Sequence, residues 1–237
     1  EGRRAAGLDA AFIAELDVHA QSKGRTPAVF WFNPLVEGFL GQGPGFCPTA
    51  VQAGLVADLE NLPQFLARRD DVVLVSRRPR VEFLSAIQRA GFPLPEWVEI
   101  SAHRLPAAHP LRQRKLGGLR PWAWGPDSVA LLAPLFAQLP EGARSPEACF
   151  NPKVASLYSK AWSAGFLRRL HPQLGDSPWL CGPEEIGVVA DSRPAVAAAV
   201  AAIRGRGHHR VVVKAAWGLA GQSALRLWEP EILPAQQ

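Results

Sequence analysis

The chain has 237 residues, 48% of them hydrophobic and 20% charged, with a formal net charge of +5. This is the composition of a soluble globular protein with material for one large or two small cores. It argues against a membrane span: the most apolar stretch, Pro194 to Ile203, is alanine-rich and runs into Arg204.

Twenty-one of the 26 basic residues are Arg; the five Lys are 23, 115, 153, 160 and 214. The bias toward Arg, with abundant Ala, Gly and Pro, resembles a GC-rich coding preference. A Lys retained under it is enriched where a compact ammonium serves better than a planar guanidinium. The basic residues scatter in pairs such as Arg68-Arg69 and Arg168-Arg169, with one denser run from Arg112 to Arg120 and no nucleic-acid-binding signature. The charge therefore reads as a solvated surface, and nucleic acid is disfavoured as a partner. Cys47, Cys149 and Cys181 form no CxxC pair, which suits reduced structural thiols in a cytoplasmic protein.

In chain order, Leu8 to His19 carries Leu8, Phe12, Ile13 and Leu16 at helical spacing and predicts a leading amphipathic helix. Asp9 and Glu15 interrupt it, so it does not read as a secretory leader. Ala28–Phe32 is a short continuous apolar run, the mark of a strand buried on both faces. Gly38 to Pro48 follows as a Gly/Pro-rich loop. Within it Gly41-Gln-Gly-Pro-Gly45 lies where a crevice would bind phosphate, but without GxGxxG spacing it reads as a flexible substrate loop. A helix is predicted over Asp58–Arg69, with Pro63 in an early turn. Asp71–Val75 is a second strand, Arg80–Ala90 a helix closed by Gly91, and Trp97–Ile100 a third strand. Alternation of strand and helix predicts a parallel sheet with right-handed crossovers, a Rossmann-like half-domain.

Beyond it, His103 to Arg120 reads as a loop, and a helix follows with Asp127 or Ser128 as N-cap. Glu141 to Glu147 reads as a linker. A helix is predicted over Val154–Leu170 and another over Ser192–Arg204. The strand Arg210–Lys214 and the strand Ala224–Trp228 then flank a connection of small residues.

That last segment, Val211-Val-Val-Lys-Ala-Ala-Trp-Gly-Leu-Ala-Gly-Gln-Ser223, carries the chemistry. A strand ends in Lys214, and Gly218 and Gly221 permit positive φ and close approach of backbone N–H groups to an anion. No Walker A loop is present, because the Lys precedes the glycines and no GK[ST] follows. His208-His209 are neighbours that point apart on extended chain, which is poor geometry for joint metal binding.

The segment resembles the ATP-grasp pattern of a strand ending in V-x-K followed by a glycine-rich hairpin loop. Upstream, Leu157-Tyr-Ser-Lys160-Ala-Trp resembles the helix start that opens the first ATP-grasp subdomain. Ser192–Arg204 resembles the helix just before the Lys strand, and the Rossmann-like half resembles the pre-ATP-grasp domain. The resemblance implies an α/β fold: a Rossmann-like parallel-sheet domain over 1–148, then a smaller α+β ATP-grasp subdomain over 149–237. It implies ATP binding through Lys160, Lys214, Gly218, Gly221, Gln222 and Ser223. It also implies Mg²⁺, whose ligands are expected beyond Gln237 with the adenine hinge. The implied activity is carboxylate activation as an acyl-phosphate for attack by an amine, on an unidentified carboxylate substrate. A homodimer is compatible with this reading. The loop here has fewer glycines than the family pattern. Two alternatives stand beside it: a non-catalytic ATP-grasp relative that binds nucleotide or a partner, and a basic Rossmann-like nucleotide- or nucleic-acid-binding module.

Overall fold

A computed structural model describes residues 25–101, 104–175, 178–218 and 224–228. The leading helix expected over Leu8–His19 and Lys23 lie outside the described residues. The chain divides into two compact units, Glu1–Phe39 with Gly45–Asn151 and Leu40–Pro44 with Pro152–Gln237.

The first unit is an α/β unit built on a four-stranded parallel sheet. Its strands are β1 (Ala28–Trp31), β2 (Val72–Val75), β3 (Glu96–Glu99) and β4 (Gly118–Pro121), in the order β3-β2-β1-β4. The apolar runs in β1 and β2 arise because side chains alternate between two cores. Val29, Trp31, Val72, Leu74 and Val98 pack on one face with Leu111, Leu116, Leu131, Leu132, Leu135 and Phe136. Ala28, Phe30, Val73, Val75 and Trp97 pack on the other with Ala67, Leu84 and Leu94.

One buried acid ties the sheet entry together. The Asp71 carboxylate accepts from the Ala28 amide (2.8 Å) and the Arg68 amide (2.8 Å), and from Arg25 Nη2 (2.6 Å). Arg25 also grips Asp70 through Nε and Nη2, both at 2.6 Å.

β4 lies in the segment expected to be a loop. It has one buried apolar residue, Leu119, with Gly118 before it and Arg120 and Pro121 after. An edge strand needs no apolar run and tolerates proline, so the sequence pattern does not mark it. The strand docks closely at its start: a Cβ on Gly117 would stand 2.7 Å from the Thr26 carbonyl oxygen.

Helices α1 (Val36–Gln42) and α2 (Ala50–Leu59) follow β1. The expected loop Gly38–Pro48 is thus helical in its first half, and the glycines at 43–45 form one 3-10 turn. The helix expected over Asp58–Arg69 instead begins at Ala50. A capping box sets this start: the Gln52 amide donates to Thr49 Oγ1 and the Thr49 amide donates to Gln52 Oε1. Pro63 opens only a 3-10 turn, Leu62–Phe65.

Helix α3 (Val81–Arg89) is followed by Gly91 at φ +86°. Helix α4 (Pro126–Leu132) is capped by Gly125 rather than Asp127 or Ser128. Pro126 takes the first helical position, and Ser128 Oγ folds back to accept from the Gly125 amide. The segment expected to link the units holds a 3-10 turn, Glu141–Ala143, and the short helix α5 (Pro146–Cys149).

The second unit contains α6 (Pro152–Leu157), α7 (Lys160–Leu170), α8 (Arg193–Gly205) and an antiparallel hairpin of β5 (Arg210–Val213) and β6 (Leu225–Trp228). The single helix expected over Val154–Leu170 is two helices. Among the described residues, no helix is long and apolar enough to cross a membrane.

Candidate functional site

The break between α6 and α7 positions the first candidate residue. Tyr158 and Ser159 close α6 with i→i−3 bonds, and the Lys160 amide donates to Ala216 O of the hairpin connection (3.0 Å). A helix start leaves its first amides without intrahelical acceptors. Here one of them is satisfied by the connection after β5. The Lys160 side chain runs the same way, and Nζ donates to Gly218 O at 2.5 Å. The start of α7 is therefore stitched to the hairpin by backbone and side chain together.

Gly218 lies at this contact. A Cβ there would meet Ala215 O at 3.2 Å and Lys160 Nζ at 3.6 Å. Gly218 is not among the glycines at positive φ. Its role is close approach, not the left-handed backbone expected from sequence. Gly221, Gln222 and Ser223 lie outside the described residues.

Lys160 and Lys214 line one cavity of about 350 Å³. One wall is α8, presenting Val196, Ala199, Val200 and Ile203 at i, i+3, i+4 and i+7. Another is α7, with Ala161 and Ala164; small residues at these positions leave the space open. β5 supplies Val211 to Val213, and the loop Gly187–Ala190 closes a side. Arg168 near the end of α7 anchors the beginning of that loop, donating from Nη2 to Ile186 O (3.1 Å) and Gly187 O (2.8 Å). The lining residues include two lysines and no acidic residue; the Lys160 ammonium is engaged by Gly218 O. Lys214 is exposed and Lys160 half-buried. In a partly apolar enclosure such a pair is complementary to an anion carrying a flat or apolar body.

His208 Nε2 lies 3.1 Å from Glu185 Oε1. Among the described residues, no group of three His, Cys, Asp or Glu side chains could hold a metal ion.

No family model matches the chain, and no curated protein or solved structure is significantly similar to it.

A second cavity lies after the first strand, where the sequence suggested a crevice served by Gly41–Gly45. It lies in the first unit and is lined by residues including Trp31, Val56, Arg104 and Asp127. None of the glycines at 41–45 lines it. The readable signal for it was the spacing of Ala53, Val56, Ala57 and Glu60, one stripe of a helix begun by Thr49-x-x-Gln52.

Proposed function

We propose that the second unit binds ATP as the first nucleotide-binding half of an ATP-grasp site. In this reading the protein activates a carboxylate as an acyl-phosphate for attack by an amine or similar nucleophile. The observation that supports it most is the shared cavity. Two lysines 54 positions apart (214 − 160) line one carboxylate-free enclosure beside a glycine of the hairpin connection.

Each part then has a physical task. Lys214 and Lys160 place ammonium charge against the phosphates, as charge developing on a transferring phosphoryl group requires. The stripe Val196 to Ile203 and the β5 valines offer an apolar wall for a purine ring. Gly218 and, in the same sequence segment, Gly221, Gln222 and Ser223 would offer backbone amides to the phosphates. ATP would supply the phosphoryl group and Mg²⁺ its charge neutralisation; no residue is assigned as a metal ligand. The Rossmann-like character of the first unit and its role as a pre-ATP-grasp domain belong to the same proposal.

The test is calorimetric titration of the full chain with ATP, for wild type, Lys214→Gln and the exposed control Lys115→Gln. A charge-assisted contact to phosphate is worth roughly 1.5–3 kcal/mol, so Lys214→Gln should bind about ten- to hundred-fold more weakly with an unchanged melt. Lys115→Gln should match wild type. Absence of saturable binding in the millimolar range, or equal affinity of the two variants, refutes the reading. Binding without transfer to any carboxylate would leave a nucleotide-binding relative and remove the ligase.

A further inference from the structure

The cavity in the first unit has a volume of about 630 Å³ and sits at the carboxyl ends of the parallel strands. Several of its residues follow directly on strands: Phe32 and Asn33 on β1, Ser76 on β2 and Ile100 on β3, with Arg104 further along the segment after β3. β1 is the strand from which the order runs one way to β2 and β3 and the other way to β4. Open α/β sheets bind ligands in the crevice at such a switch point.

Helix α2 is built over this space. Ala53, Val56, Ala57 and Glu60 form its cavity-facing stripe, and Gln52 is its one buried residue. The helix thus presents its inner apolar stripe to a cavity, not to packed core. Both of its ends are fixed. Thr49 and Gln52 cap the start, and the Glu60 carboxylate accepts from the Ser76 amide (2.7 Å), Ser76 Oγ (2.9 Å) and the Arg77 amide (3.2 Å). A helix held at both ends cannot readily collapse into the space beneath it.

Three charged side chains interrupt the apolar lining: Glu60, Asp127 and Arg104. Glu60 is occupied by its three donors. Asp127 is held at the wall by Asn33, whose Nδ2 donates to Asp127 Oδ2 (3.1 Å) and to Ala123 O (2.7 Å), while its Oδ1 accepts from the Ala123 amide (3.0 Å). Asn33 is buried, so this orientation is rigid. Arg104 is exposed and is the one basic side chain in the lining.

We propose that this cavity binds a free α-amino acid with a large apolar side chain. The side chain occupies the space between Trp31, Phe39, Val56 and Leu131. The α-carboxylate meets Arg104, and the α-ammonium meets Asp127. One fixed acid and one guanidinium in an apolar wall match one positive and one negative group on an apolar body. A simple carboxylic acid would leave Asp127 facing an anion, and a simple amine would leave Arg104 unused. The proposal concerns the first unit alone and does not depend on nucleotide binding by the second.

The experiment is calorimetry on the full chain with L-phenylalanine, 3-phenylpropionate, phenethylamine and glycine. L-Phenylalanine should saturate, and the other three should bind at least about ten-fold more weakly, each lacking one charge-assisted contact or the apolar body. Arg104→Gln should cost L-phenylalanine about ten-fold or more and leave phenethylamine unchanged. Ala57→Trp, which fills the cavity from an exposed helix position, should abolish binding while circular dichroism and the melt stay as in wild type. Failure of L-phenylalanine to saturate overturns the proposal. So does equal binding of the three charged or half-charged phenyl compounds, or wild-type affinity in both variants. ATP titrated into the same samples reports on the second unit separately, since neither substitution touches its cavity.

Discussion

Replacing Asp71 by Ala tests how the first unit is assembled. The carboxylate is almost wholly buried and receives two backbone amides and one guanidinium. Loss of the buried Ala28 contact strands an amide at the start of β1, at a cost of about 1–3 kcal/mol. The Arg68 amide is at a more accessible position and contributes about 0.5–1.5 kcal/mol. The Arg25 contact is discounted to about 0–1 kcal/mol, because that side chain is 38% exposed and screened by solvent. Together Asp71→Ala should lose roughly 2–5 kcal/mol. For a chain of this size each kcal/mol moves Tm by about 2–4 °C, so the melt should fall by roughly 4–20 °C. Asp71→Asn should fall in between, since its carbonyl oxygen can still accept from Ala28 while its NH₂ opposes the second donor. Urea and thermal denaturation followed by circular dichroism measure both. A loss below about 1 kcal/mol for Asp71→Ala would refute the idea that this acid ties β1 to β2.

Two further expectations follow from shifted titrations. Hydrogen bonds from Arg25 hold the Asp70 carboxyl below its ordinary value, against the opposing effect of burial. A depressed carboxylate adds stability above the ordinary aspartate range of about 4 and loses it as pH falls through the depressed value. Asp70→Asn should therefore be less stable than wild type at neutral pH, by no more than about 1 kcal/mol given the exposure of Arg25. The gap in urea midpoints should narrow on acidification, and a gap that widens would reverse the argument. Burial also pushes the Cys149 thiol up, whereas Cys47 and Cys181 are exposed. With a disulfide reagent at about pH 8, two thiols should react fast and one slowly, and three equal rates would contradict the burial of Cys149.

How much of the fold was legible depended on where each segment lies in the sheet. Val72 to Val75 and Ala28 to Trp31 are central, face two cores, and so could hardly be anything but apolar. β4 sits at the edge, where Leu119 alone meets the core and Arg120 reaches over the Phe30 ring at 5.7 Å. Its sequence carries charge and proline because an edge permits both. The start of α2 was written in Thr49-x-x-Gln52, but Pro48 and the glycines before it, together with the proline at 63, drew the expected helix later. Pro63 does begin a turn of helix, though only a 3-10 one. Local punctuation was visible in both cases; which of two signals wins depends on what the turn packs against, and sequence does not carry that.

The candidate site divides along the same line. Lys214 is marked by its place at the end of a β-branched strand, and Lys160 by its place beside Ser159 at a helix start; both are local signals. That they line one cavity is a property of the hairpin and helix meeting, and the contact that brings it about is backbone in kind. The Lys160 amide needs an acceptor because a helix begins there, and Ala216 O supplies it. The Lys160 side chain reaches the same connection, where Nζ donates to Gly218 O. The two lysines should therefore differ under substitution. Lys214 contributes charge from an exposed strand end, so its loss should leave the hairpin intact. Lys160 also holds the connection that follows Lys214 through Ala216 O and Gly218 O, so its loss should loosen that contact as well as weaken the proposed ATP binding. Comparing the melts of the two Gln variants tests whether Lys160, unlike Lys214, holds the connection in place.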